Sequence, residues 1–277
     1  FTRGMSDVVK AMISHFGVDG IHPGDVLGTN DAYLTGSHLN HVTLAVPVFD
    51  GKKLAGFTAC MAHWQDVGGQ LGGITTDIYA EGIQIPIVKY ARRGVINQDL
   101  IDIIRMNVRD PDRAMGDLRA QLTAVRTGKR RFLELVRRYG REPVRLAIED
   151  IMNTSERVAR ARARDIPNGV YEAESFMDDD GVDIGKRIPV KVKVIVKGDE
   201  MTIDLSDVAP QVRGFYNSGE TAGRSCAQVA YKCLTTALDM PINDGSFRAL
   251  DIVLPPGKVV SAVKPAPMRW WMTYPMT

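Results

Sequence analysis

Cysteine is scarce in this 277-residue chain. Cys60, Cys226 and Cys233 are too few and too unevenly spaced for a disulfide framework, and no CxxC pair offers a thiolate zinc site. Free thiols in a reducing cytoplasm are the expected state. Long apolar runs are missing too: none approaches the ~20 residues of a membrane span, so no membrane partner is expected. Nor is there an excess of one charge. Lys and Arg number 35 against 33 Asp and Glu, a net +2 that does not make nucleic acid or an anionic membrane the default partner. The basic stretch from Arg119 to Arg164 is interrupted by Glu134, Glu142, Glu149, Asp150 and Glu156. It reads as a solvated or subunit-facing helix surface, and no nucleic-acid partner is expected.

What remains is an ordinary globular composition, 44% hydrophobic and 25% charged with 26 Gly and 14 Pro, which excludes disorder, collagen and coiled coil. The length suffices for one large domain or two lobes. The chain opens at Phe1 directly into a helical pattern, without a signal-peptide layout, and closes just after Trp270-Trp271-Met272. Both ends look cut, so a piece of a longer polypeptide is expected.

Apolar spacing predicts helices over Gly4–Phe16, Asn97–Val108, Asp110 to Tyr139, Pro143–Arg164 and Thr221–Leu238. Ser6 or Asp7 is the expected cap of the first, and Pro111 stands at the first position of the third. Strands are expected at Val26–Thr29, Val170–Met177, Ile188–Val196, Met201–Leu205 and Leu250–Leu254, and Asn30–Gly36 reads as a loop. The composition shifts from helices to strands near Ile166–Gly169. That divides the chain into a first lobe, 1–165, and a strand-rich second lobe with one long helix, 166–277.

Val42, Leu44, Val46 and Val48 alternate in one strand and Ala55, Phe57, Ala59 and Met61 in another, with Asp50-Gly51 between them as a hairpin turn. A two-residue loop there sets Val48 opposite Lys53, Leu44 opposite Phe57 and His38 opposite His63, and directly paired residues have Cβ atoms ~4.5–5.5 Å apart. Three of the five histidines, His38, His41 and His63, therefore concentrate at one end of the hairpin, flanked by Asp31 and Asp66. Neutral imidazole is the commonest protein ligand for borderline divalent ions, and carboxylates complete such sites. A structural role for the histidines is the rival reading. His38 and His41 are three apart and point to opposite faces of a continuous strand, so both can reach one ion only if the chain turns around Leu39-Asn40 first. Cys60 falls on the face opposite His63, which disfavours a Cys-His nucleophile pair. The glycine loop from Gly68 through Gly69 to Gly73 could cradle an anionic substrate with backbone N–H groups, or serve only as a connection. It matches neither a P-loop nor GxGxxG, so no nucleotide is expected there.

Several blocks carry a resemblance. Gly24-Asp25-Val26, Thr29-Asn30-Asp31-Ala32-Tyr33 and Gly36-Ser37-His38 are followed by Ala62-His63-Trp64-Gln65-Asp66-Val67-Gly68-Gly69 and Ile78-Tyr79-Ala80-Glu81-Gly82. Asn107-Val108-Arg109, Gly116-Asp117-Leu118-Arg119, Pro210-Gln211-Val212-Arg213-Gly214 and Asn243-Asp244-Gly245 continue the series in order. The chain thereby resembles the hydantoinase B/oxoprolinase family, which includes subunits of N-methylhydantoinase, 5-oxoprolinase and acetone and acetophenone carboxylases. The resemblance implies an α+β fold with mixed and antiparallel sheets and long helices, as a fragment of a larger, cytoplasmic B-type subunit in a hetero-oligomer. It implies a hydantoinase A-type partner that binds ATP and phosphorylates a carbonyl, and a divalent metal, zinc or manganese, on the B-type side. His38 and His63 fall on the family's recurrent histidines. The family commonly has Asp where this chain has His41, and Pro where it has Ala32. Imidazole in place of a carboxylate shifts the expected preference from manganese-like to zinc-like ions.

The leading expectation is therefore a B-type subunit of an ATP-dependent hydrolase acting on a hydantoin, 5-oxoproline or a lactam. His38, His41 and His63 would hold the metal, Asp66 or Asp31 would be a fourth ligand or general base, and Gly68 and Gly69 would contact the substrate. A ketone carboxylase component and a non-catalytic scaffold are the alternatives.

Overall fold

The computed structural model describes residues 4–236 and 240–269. The expected end of the last helix at Leu238 and the apolar run 270–272 lie outside the described residues. Helix α1 (Gly4–Phe16) leads into strand β1 (Val26–Thr29), the short helix α2 (Ala32–Thr35) and a long hairpin of β2 (His41–Asp50) and β3 (Lys53–His63). Strands β4 (Val88–Arg92) and β5 (Val95–Ile96) complete an antiparallel sheet in the order β3-β2-β1-β4-β5. Helices α3 (Gln98–Asn107), α4 (Pro111–Tyr139) and α5 (Arg141–Ala163) follow. A second sheet runs β6-β7-β8-β9 from Gly169–Met177, Ile188–Lys197, Glu200–Asp204 and Leu250–Val253, with helix α6 (Glu220–Thr235) on the way to β9. Because β8 and β9 are parallel, the chain between them must cross over, and α6 is part of that crossover. The architecture is α+β, with one antiparallel and one mixed sheet.

Strand β2 is buried from His41 through Val48 because both of its faces are covered. Val42, Leu44 and Val46 meet Ala114, Met115, Leu118 and Val125 of α4, whose spacing of three and four residues lays one stripe on the sheet. Ala45, on the alternate face, joins Leu27, Val8 and Met12 in a smaller cluster under α1. A second core forms where Ile188, Val190, Val196, Met201 and Ile203 of the second sheet pack with Tyr231 of α6 and Ala159 of α5. Ala262, Ala266 and Met268 return to the first core. Their segment is tied down by buried Asn217, whose amide donates to the Val212, Gly214 and Pro267 carbonyls.

Three expectations are corrected. The hairpin turn is Gly51-Lys52, since Gly51 takes the left-handed conformation (φ 59°) and Asp50 pairs with Lys53. A bulge then sets Phe49 opposite Leu54 but Val48 opposite Gly56. Together these slide the register by three residues, so that His41, and not His38, stands opposite His63. The stretch Asn30–Gly36 is not a plain loop: the Asp31 side chain accepts from the Tyr33 N–H and caps α2. Finally, Ser6 and Asp7 lie inside α1, which already begins at Gly4.

Candidate functional site

The site begins where β1 ends. Asn30 is fully buried; its amide donates to the Leu39 and Ile83 carbonyls and its Oδ1 accepts from the Ile85 N–H at 2.6 Å, clamping both ends of the loop that follows. Gly36 closes α2 at φ 86°, and a Cβ there would lie 2.4 Å from the Ala222 nitrogen of α6, so only glycine fits. The chain then turns, with the His41 N–H donating to the His38 carbonyl at 3.1 Å, before β2 starts. That turn removes the geometric objection raised by the sequence, because His38 precedes the strand and escapes its alternation.

His38, His41 and His63 consequently converge. The ring centroids are 4.5 Å apart for His38 and His41, 4.8 Å for His38 and His63, and 5.4 Å for His41 and His63. Burial, then the neighbouring imidazoles His41 and His63, pushes the pKa of His38 down from 6.5 to about 3. Burial, then His63, pushes that of His41 down to about 4. Both rings are neutral at pH 7, the form that can ligate. The Ser37 hydroxyl contacts Nδ1 of His41. When that nitrogen carries the proton and donates to Ser37, Nε2 retains its lone pair, the arrangement by which outer partners orient metal-binding histidines. Neutral imidazoles are the residue type that suits a borderline divalent ion. Among the described residues, however, no group of three or more His, Cys, Asp or Glu side chains is placed so that it could hold a metal ion as it stands.

The hairpin end is held by a polar network inside the core. The Asn40 amide donates to the Trp64 carbonyl at 2.7 Å and the Asn40 carbonyl accepts from the Trp64 N–H, while the buried Trp64 indole donates to Oε1 of Gln121 on α4 at 2.7 Å. Gln121 in turn donates to the Val42 and Cys60 carbonyls, and Cys60 packs on the α4 side of the hairpin. Gln121→Leu leaves the indole N–H and the Val42 carbonyl without this partner. A loss of about 2 kcal/mol is expected, read as a lower urea midpoint at unchanged slope. An unaltered midpoint would show that the network does not hold the hairpin end.

Asp66 and Asp31 are placed differently from the histidines. The Asp66 carboxylate accepts from the backbone N–H groups of Gly68, Arg109 and Asp110 and from the Arg109 guanidinium at 3.2 Å. Burial alone would raise its pKa, but these donors and the Arg109 charge outweigh it and hold the group below the usual carboxylate range. Asp31 is engaged as the cap of α2. Gly68 and Gly69 both adopt positive φ, 78° and 72°, and a Cβ on Gly69 would meet the Glu81 carbonyl carbon at 2.4 Å. The Gly68 N–H donates to Asp66 and that of Gln70 to the Ala80 carbonyl.

A cavity of about 180 Å³ opens beside the histidines, lined by His38, Asn40, Asp66, Gly68, Glu81 and Arg269 among others. Glu81 and Arg269 are not singled out by sequence reasoning. Glu81, 7% exposed, accepts from the Thr75 hydroxyl at 2.6 Å and from the Met268 and Arg269 N–H groups. Burial raises its pKa against the pull of those donors. Its block, Ile78–Gly82, is among the recognisable ones; nothing near Arg269 signals a role.

The whole of this arrangement falls within one family match. The family model for hydantoinase B/oxoprolinase fits residues 1–276. The chain belongs to that family. It is 35% identical over 274 residues to the beta subunit of the caprolactamase of Pseudomonas jessenii, covering 97% of this chain and 46% of that one. It is 34% identical over 263 residues to a putative D-/L-hydantoinase B subunit from Pseudomonas sp. (strain NS671), covering 90% and 44%. The crystal structure of the ATP-dependent caprolactamase from Pseudomonas jessenii superposes with a TM-score of 0.89 at 31% identity, over 96% of this chain and 46% of that one. The chain therefore spans less than half the length of these relatives. No described helix is long and apolar enough to cross a membrane, and all three cysteines are free thiols.

Proposed function

We propose that this hydantoinase B-type chain is part of an ATP-dependent hydrolase that opens a cyclic amide: a hydantoin, 5-oxoproline or a lactam. A hydantoinase A-type partner in a hetero-oligomer binds ATP and phosphorylates the carbonyl. The reading rests on one observation above all, the convergence of His38, His41 and His63 with two of the three kept neutral by burial. In this reading those three side chains hold a divalent cation, zinc or manganese, which supplies Lewis-acid polarisation when bound. Ser37 orients the His41 ring, and Asn30, Asn40 and Gln121 keep the turn and the hairpin end from shifting. The cavity beside His38 receives the activated carbonyl. Gly68 lines it and Gly69 does not, and a side chain at either would collide with backbone. Asp66 is a weak base, since its oxygens already accept from four donors; it holds the glycine loop to the start of α4, and Asp31 fixes α2.

The test uses the full-length protein purified with its A-type partner, with metal content measured in wild type and in His63→Ala. One ion per chain, lost in the variant together with ATP-dependent opening of hydantoins, 5-oxoproline or lactams, is the expected result. Turnover unchanged in His63→Ala would leave a scaffolding role. Label from bicarbonate appearing in the product would assign the site to a carboxylase.

A further inference from the structure

One wall of the cavity carries a charged group that cation binding by the histidines does not use. Arg269 lines it and forms no ion pair among the described residues: its Nη2 donates to the Leu71 carbonyl at 2.7 Å, while Nη1 is buried and has no hydrogen-bond partner among them. A guanidinium N–H is a strong donor that cannot shed its proton, and leaving one buried without an acceptor is costly. The other charged groups around the cavity do not supply that acceptor. Asp66 is paired with Arg109, and the Glu81 carboxylate is taken by Thr75 and by the backbone N–H groups of Met268 and Arg269. Glu81 instead fixes the main chain from which Arg269 projects. Two of the glycine loop's N–H groups, those of Gly68 and Gln70, are already engaged within the protein.

We propose that Arg269 is the oxyanion-recognising residue of this cavity, its unanswered guanidinium N–H binding a phosphate or carboxylate oxygen of the molecule that reaches His38. At about 180 Å³ the cavity lies below the ~300–1,000 Å³ of pockets that enclose drug-sized ligands, so it admits a small anionic group and not a nucleotide. The inference rests on the proposed function for the meaning of that anion, but the binding itself does not require it. A carbonyl phosphate handed over by the partner brings a tetrahedral dianion, and a carboxylase would bring bicarbonate. The two sources share the chemistry and differ in shape and charge.

The experiment titrates inorganic phosphate and, separately, bicarbonate into the full-length protein with its partner and follows the thermal midpoint. Variants are Arg269→Ala, Arg269→Lys, His63→Ala and Arg213→Ala, the last altering a separate basic cavity of about 300 Å³ that shares no lining residue with this one. One of the two anions should raise the midpoint of wild type saturably. Arg269→Ala should weaken its apparent affinity about tenfold to a hundredfold, the loss of one charge-assisted hydrogen bond, and Arg269→Lys should restore part of it. Phosphate selectivity assigns the carbonyl phosphate, and bicarbonate selectivity the carboxylase substrate. Anion binding that survives in His63→Ala upholds the Arg269 site independently of the metal, and binding in a wild-type protein without hydrolase turnover upholds it while the functional reading falls. An affinity unchanged in Arg269→Ala, or lost equally in Arg213→Ala, overturns it, as does the absence of any response in wild type. Midpoints without anion and circular dichroism show whether Arg269→Ala folds; if it does not, Arg269→Lys and Arg269→Gln carry the comparison.

Discussion

Replacing Asp25 with Ala is expected to cost about 3–5 kcal/mol of stability, the largest single effect outside the histidine cluster. Asp25 is 1% exposed and pairs at 2.6 Å with Lys89, which is 5% exposed and also donates to the Gly20 carbonyl. The carboxylate further accepts from the His22 and Arg93 N–H groups. Burial by itself would raise its pKa, but the Lys89 ammonium and the two N–H donors prevail and hold it lowered. Asp25→Ala strands an ammonium in the core and orphans two backbone donors at once, and at this chain length a fall in Tm of about 10 °C follows. The double variant Asp25→Asn, Lys89→Met removes both charges while keeping an acceptor for the backbone. It should recover most of the loss, because the penalty comes from breaking the pair and not from lacking it. If Asp25→Ala alone melts within about 2 °C of wild type, the pair does not hold β1 to β4.

The second large effect is acid lability that begins unusually early. His38 and His41 have folded-state pKa values of about 3 and about 4, against 6.5 for an ordinary imidazole. Below pH 6.5 the unfolded chain takes up protons that the folded chain refuses, so stability falls as pH falls. The loss continues through about 4 for His41 and about 3 for His38. Two groups titrating only in the unfolded state give at most about 2.7 kcal/mol per pH unit. Asp25, Asp66 and Asp180 have lowered values from 3.8 and add their loss only at more acidic pH. Glu81, raised from 4.5, works in the opposite direction, since the folded state binds its proton first. Urea midpoints measured between pH 7.5 and 5 should fall steadily in wild type, and His38→Asn, His41→Asn should flatten that slope. A flat wild-type profile over this range would mean that the rings are not held neutral. Added divalent metal should steepen it, because protons and metal compete for the same nitrogens.

Much of this molecule is legible without its fold. The long helices announce themselves through apolar spacing and through Asp110-Pro111, where Asp110 caps α4 at the Arg113 N–H. The hairpin is visible in the alternation around Gly51. The presence of His38, His41 and His63 in one region follows from their positions in the chain. Strands β4 and β5 are short, with little alternation to betray them; Glu81 is legible only as part of its block, and Arg269 has no local signature at all. Their meaning comes from residues 188 positions apart meeting through one carboxylate and one backbone N–H.

By itself the sequence determined the family, the α+β composition and which side chains could ligate an ion, because these depend on residue identity and on periodicities of a few positions. The tertiary structure decided which histidine faces which. One left-handed glycine and one bulge shift the hairpin register by three residues, and cross-strand neighbours change completely with such a slip. It also decided that His38 and His41 are neutral, that Asp66 is spent on a loop and that Arg269 has an N–H unanswered by any described residue. Burial and hydrogen-bond saturation are properties of the assembled surroundings, not of any residue alone.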